Sequence, residues 1–204
     1  MIKIHATKKL FAKLPLDKQG YLPAKERAAA GNHLAANDDG VNAVSLLSGW
    51  HGNVVTLQRR NCVLFVHDTT RFALLLLGLT KPDFAKLDLL FQDALMNTIL
   101  KCGANDEQMR AVVMQLQDLC FDTQCDRSVQ GSLNRIKADV EHTLWCNNAD
   151  VMELSAPRLS VALSHRPSML KGMKSNECLW PIKAMAALVG KGEFNTPSLF
   201  DEPL

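Results

Sequence analysis

The sequence predicts an α+β fold: a mostly antiparallel sheet packed against several helices. Three observations predict it. Between Asn53 and Leu77, three runs of strand-forming residues follow one another through three-residue polar connections, and connections that short force neighbouring strands to pair antiparallel. After Leu79 the apolar spacing changes from two to about 3.6, and helix starts and stops appear. Finally, 204 residues at 47% hydrophobic content can bury roughly 70% of the unfolded surface, enough for one core.

In chain order, Ile2 to Ala6 alternate apolar and polar residues as a short strand, and Thr7 caps a helix carrying Leu10, Phe11 and Leu14. Residues 15–49 read as a surface excursion: they contain Gly20, Pro23, Gly31 and Gly40, a helix-prone run from Pro23 to Ala30, and an Asn-Asp-Asp-Gly turn at 37–40. The central meander then occupies 53–58, 62–67 and 71–77, with Arg59-Arg60-Asn61 as its first tip and Asp68-Thr69-Thr70 as its second turn.

Thr80, Pro82 and Asp83 open a helix in capping-box form, whose inner face is Phe84, Leu87, Phe91, Ala94 and Thr98. Gly103 ends it and Asn105 caps the next, with Met109, Val112, Val113, Leu116 and Cys120 as its inner stripe. A third helix spans Ser128 to Trp145 through Val129, Leu133, Ile136, Val140 and Leu144. Leu159, Val161 and Leu163 alternate with Ser160, Ala162 and Ser164, which predicts one further strand near 159–164. A last helix lies near Pro181 to Val189. Residues 1–190 are expected to form one domain and 191–204 a C-terminal tail.

The net charge of +2 is unevenly distributed. Residues 1–27 carry seven Lys or Arg against two acids, whereas residues 83–153 carry six against twelve, so the molecule is expected to be dipolar. The longest apolar run, Phe72 to Leu77, is far below the roughly 20 residues of a membrane-spanning helix. The N-terminus has no apolar signal core, so the expected location is cytoplasmic, with the six cysteines as reduced thiols.

Four constellations carry chemistry. Arg59 and Arg60 at the hairpin tip, with Lys8, Lys9 or Arg71 as candidates to join them, are expected to form a basic cluster whose guanidinium forks suit phosphate; a solvated turn is the plain alternative. His51, Asn53, His67 and Asp68 gather at the other end of the same strands, where an imidazole beside a carboxylate serves as a general base; Asp68 before Thr69 and Thr70 also reads as a simple turn cap. Cys120, Cys125, His142 and Cys146 are of zinc-ligand type, but the tight two-residue cysteine knuckle is missing and buried thiols explain them as well. Leu199 and Phe200, flanked by acids in the tail, resemble short peptides that dock into partner grooves.

Several blocks resemble a known family: Lys8-Lys9-Leu10, Trp50-His51-x-Asn53, the run from Arg59 to Arg71, Asp126-Arg127-Ser128-Val129-x-Gly131-Ser132-Leu133-Asn134, Arg166-Pro167-x-Met169 and Trp180-Pro181-Ile182. Together they are similar to an uncharacterised bacterial domain-of-unknown-function family, DUF6933. The resemblance spans Ile2 to about Leu188 and implies no activity. It draws attention to Arg127, Ser128 and Gly131 at the start of a helix. Gly131 there costs up to about 1 kcal/mol relative to Ala. Close approach by an anion at the helix start and tight packing of helix on sheet are its two readings.

With no catalytic motif, the expected function is a non-enzymatic binding or interaction protein without a cofactor. It would contact an anionic partner, nucleic acid or a nucleotide, through Arg59, Arg60, Arg71, Arg127 and Ser128. The alternatives are a hydrolase or nuclease-like enzyme built on His51, Asn53 and Asp68, and a protein-docking adaptor working through the excursion or the tail.

Overall fold

A computed structural model describes residues 1–23, 44–170, 172–174, 177–190 and 192–196. The helix-prone run after Pro23, the turn at 37–40 and the Leu199-Phe200 pair lie outside the described residues.

Cys62 to Val66 form an unbroken apolar run because their strand is buried on both faces. Val63 and Phe65 point into one core, while Cys62, Leu64 and Val66 point into a second. This strand, β3 (Arg60–His67), lies between β2 (Trp50–Leu57) and β4 (Ala73–Leu79). Both pairings are antiparallel. β1 (Ile2–Ala6) and β5 (Leu119–Asp122) complete a five-stranded sheet in the order β4-β3-β2-β1-β5. β1 pairs parallel to both β2 and β5, so the sheet is mixed although its centre is the expected meander.

After β1, Thr7 caps the short α1 (Lys8–Phe11) by accepting the Leu10 N–H. A 3-10 turn (Lys81–Lys86) opened by the Thr80–Asp83 capping box leads into α2 (Leu87–Lys101). Asn105 and Gln108 form a second capping box at α3 (Asp106–Gln115). α4 (Arg127–Cys146), α5 (Ala156–Ser164) and α6 (Pro181–Val189) follow.

Leu87, Phe91, Leu95 and Ile99 of α2 and Ile182, Met185 and Val189 of α6 cover one face of the sheet. Trp50 and Phe65 each meet Phe91 edge-on there, at 5.2 and 5.1 Å between ring centres. Val129, Leu133, Val140 and Leu144 of α4 cover the other face over the β2–β4 half. The residues of β1 and β5 on that side are Lys3, His5, Cys120 and Asp122, none of them buried.

The expected strand near 159–164 is a helix. Leu159 and Leu163 face the second core and Val161 the first, so α5 straddles the rim of the sheet. Ser160 and Ser164, one turn apart, accept the edge N–H groups of Leu75 and Ala73, each at 3.1 Å. The alternation of apolar and small polar residues is therefore the signature of a helix laid along an exposed strand edge. Its two serines replace the missing strand partner.

The first hairpin turns on Gln58 and Arg59, not on Arg59 to Asn61, since Leu57 pairs with Arg60. Both turn residues have positive φ, 43° and 66°, the geometry of a two-residue turn matched to the sheet twist. Neither is glycine, which is why the sequence pattern did not reveal it. At the other edge, Gly20 lets the chain lie against β5: its φ is +90°, and a Cβ would sit 2.5 Å from the Phe121 carbonyl oxygen. Among the described residues no helix is long and apolar enough to cross a membrane.

Candidate functional site

Strand alternation aims His5 and His51, neighbours in the β1–β2 register, to the side of the sheet on which α4 lies, and β5 brings Asp122 beside His5. The turn between β3 and β4 adds Asp68 and Arg71, and α4 starts directly over them. The group therefore lies at the carboxyl ends of the parallel pair β1 and β5, the position at which open sheets with parallel strands gather their ligands.

His51 is 2% exposed. Its Nδ1 lies 2.6 Å from Asp68 Oδ1, and its Nε2 accepts the backbone N–H of Asp126 at 2.6 Å. Because Nε2 is an acceptor, the ring carries its proton on Nδ1 and donates it to Asp68. Proximity of His51 and Asp68 is thus present, but both ring nitrogens are committed and the ring is sealed. His51 is a brace between the Asp68 turn and the cap of α4.

His67 is equally buried. Nε2–H donates to the Ser48 carbonyl at 3.2 Å and Nδ1 accepts from Thr70 at 2.9 Å. Burial pushes its pKa down to about 4, so it is a neutral core residue. Asn53 accepts the Thr7 hydroxyl at 2.8 Å, tying β2 to the end of β1.

His5, which the sequence reading overlooked, is the open member of the group. Its Nδ1 lies 2.7 Å from Asp122 Oδ1, and its Nε2 lies 3.7 Å from Asp68 Oδ2, with side-chain exposures of 18%, 31% and 27% for His5, Asp122 and Asp68. The two imidazole rings are 5.0 Å apart. Its signal in the sequence was only that it stands on the polar side of a five-residue strand; the partner, Asp122, lies 117 residues away.

Arg71 is buried, with 8% exposure, in a left-handed backbone conformation, φ 59°. Nη1 donates to the Asp68 carbonyl and Nη2 to the Ser128 hydroxyl at 3.4 Å. Nε has no partner among the described residues. Burial pulls the guanidinium pKa down, and the Asp68 and Asp126 carboxylates partly offset this. Asp126 caps α4 through the N–H groups of Val129 and Ser128, which hold its carboxyl below the usual range.

Arg127, Ser128 and Gly131 are exposed on the first turns of α4. A Cβ on Gly131 would meet nothing within 4 Å. Tight packing of the helix on the sheet therefore does not account for this glycine.

The proposed anion residues do not form one cluster. Arg71 and Ser128 touch, and Arg127 adjoins them. Arg59 and Arg60 are exposed at the far end of β2 and β3, roughly 20 Å from His51 at about 3.3 Å per strand residue. The tip is instead a structural anchor, in which Gln58 donates to the Ala149 carbonyl at 2.9 Å and accepts the Val151 N–H at 2.7 Å.

The four metal-ligand types are dispersed too. Cys146 and His142 share one face of α4, 3.3 Å apart. Cys120 instead donates to the Gln19 carbonyl and Cys125 to the His5 carbonyl. Burial raises the Cys125 thiol pKa, so it stays protonated. All six cysteines are free, and among the described residues no three His, Cys, Asp or Glu groups are placed to hold a metal ion together.

Residues 3–184 match a family model described as a domain of unknown function, DUF6933. No curated protein and no solved structure matches the chain.

Proposed function

Because the chain belongs to the domain-of-unknown-function family DUF6933, its role has to be read from its own site, and we propose that the protein binds an anionic small molecule, such as a nucleotide or another phosphorylated compound, at the carboxyl ends of β1 and β5. The observation that carries this reading is Arg71. A buried guanidinium is costly unless it is paired. Here its hydrogen bonds go to a carbonyl and a hydroxyl, its Nε–H has no partner among the described residues, and the Asp68 and Asp126 carboxylates offset the burial only in part. The positive charge touches Ser128, which with Arg127 is exposed at the start of α4. Ordinary surface lysines and arginines contribute little, but a fixed, desolvated arginine beneath them supplies a directed field.

Open space above Gly131 leaves room for a ligand to approach the helix backbone. The hairpin tip is not part of this site, since Gln58 anchors it to the loop after α4.

Isothermal titration of pyrophosphate at low and high salt tests the reading. Binding at low ionic strength should weaken as salt rises. Arg127→Ala should weaken it by about tenfold, the effect of losing one charge-assisted contact worth ~1.4 kcal/mol. At about 0.15 M salt, where the Debye length is about 8 Å, the double variant Arg59→Ala, Arg60→Ala should leave it within about twofold, as expected of charges roughly 20 Å away. No binding at low salt, or loss of binding only in the tip variant, removes the reading.

A further inference from the structure

We infer that His5 is a general base that activates water for hydrolysis of a phosphate ester bound at this site, an inference that rests on the anion-binding reading above. The geometry that points to it is a relay of two histidines and two aspartates with one opening. Asp122 can only accept when ionised, so at 2.7 Å it accepts a hydrogen bond from His5 Nδ1–H. That leaves a lone pair on Nε2, which faces Asp68 Oδ2 across 3.7 Å. This separation is too long for a direct hydrogen bond. A water in contact with both would give one hydrogen to Nε2 and the other to Oδ2, leaving its own lone pairs free.

Each of these two acceptors is held from behind. Asp122 Oδ1 also accepts the Gln124 N–H at 2.9 Å, which fixes the carboxylate that orients His5. Asp68 Oδ1 is held by His51 at 2.6 Å, and His51 by the Asp126 N–H. A general base whose second nitrogen is tied to a buffered carboxylate is the arrangement that hydrolytic dyads use. His51 shows what an imidazole at this end of the sheet looks like when it is only structural: both nitrogens engaged and 2% exposed. His5 has one nitrogen engaged and remains accessible.

In the step, the water oxygen forms a bond to phosphorus while the ester P–O bond breaks, its electron pair leaving on the departing oxygen. One water proton passes to His5 Nε2, and the other stays on the new phosphate. The imidazolium, stabilised by Asp122, then returns its proton to the departing oxygen, so no further reactant is needed. Arg127 would hold the charged phosphoryl oxygens, and the buried Arg71 beneath would add its positive field against the repulsion of Asp68.

The test uses the full chain with p-nitrophenyl phosphate and bis(p-nitrophenyl) phosphate, and pyrophosphate binding is measured on the same samples. Wild type should release p-nitrophenolate above the buffer rate from at least one ester. His5→Gln should lower that rate by about 100-fold, the range for loss of a general base. Asp122→Asn, which keeps the size of the side chain, should lower it by about tenfold or more through misorientation of His5. Both variants should still bind pyrophosphate within about threefold of wild type, because His5 and Asp122 take no part in holding the anion. Asp122→Asn serves as the readout if His5→Gln fails to fold. Binding without turnover, or turnover unchanged in a folded variant, overturns the general base and leaves the anion site standing. Failure of pyrophosphate to bind wild type overturns both.

Discussion

His51 and Asp68 are joined by a 2.6 Å hydrogen bond, and the opposite nitrogen of the same ring accepts the Asp126 N–H. Three segments distant in sequence, the start of β2, the β3–β4 turn and the cap of α4, therefore meet on one imidazole. That junction sets the position of Asp68 toward His5 and of the α4 start toward Arg71.

Replacing His51 by Ala should destabilise the protein by about 2–4 kcal/mol. Two hydrogen bonds are lost, and the Asp126 N–H and the Asp68 carboxylate lose their partner. Urea unfolding measures it. A loss below about 1 kcal/mol would mean that the junction relaxes easily and does not position the site.

His67 makes the fold acid-sensitive. Its pKa, about 4 when folded against 6.5 ordinarily, means that the unfolded chain takes up the proton first as pH falls. Stability from this residue is thus complete above about pH 6.5 and declines until about pH 4, by about 2 kcal/mol between pH 7 and pH 5. Comparing urea unfolding of wild type and His67→Gln at those two pH values isolates the effect. Equal pH dependence in both would rule it out.

Ser160 and Ser164 finish the edge of the sheet. The double variant Ser160→Ala, Ser164→Ala leaves the buried N–H groups of Ala73 and Leu75 unpartnered, at a cost of about 1–3 kcal/mol each. Native-state hydrogen exchange should show those two amides losing protection before the rest of β4. Unchanged protection would show that other groups satisfy the edge.

At the hairpin tip the two turn residues should respond in opposite directions. Arg59→Gly relieves a side chain held at φ 66°, and should be neutral or stabilising by up to about 1 kcal/mol. Gln58→Ala removes both bonds to the 149–151 loop and should destabilise by about 1–2 kcal/mol. Thermal melts of the two variants provide the comparison, and a destabilised Arg59→Gly would contradict the turn assignment.

Much of the framework was legible because local chemistry agreed with the fold. The Thr80 and Asn105 capping boxes, the inner face of α2 and the Val129-to-Leu144 stripe of α4 all follow from spacing alone. α5 was misread because serines that serve a strand edge mimic strand alternation. β5 escaped notice because four residues, Leu119–Asp122, hold too little alternation to register, and its parallel pairing with β1 is non-local. The site shows the same division. His51, Asp68, Arg71 and Ser128 were found through their neighbours in sequence. His5 was not, since what distinguishes it from His51 is a free ring nitrogen, a property created by tertiary contacts.

The central claim is that the chemistry lies at the carboxyl ends of β1 and β5 and not at the hairpin tip. Amide chemical-shift mapping during a pyrophosphate titration tests it most directly. The expected result is saturable shifts concentrated at residues 5–9, 68–71 and 126–131, with Gln58 to Asn61 unmoved. Shifts confined to Gln58 to Asn61, or none at saturating ligand and low salt, would contradict it.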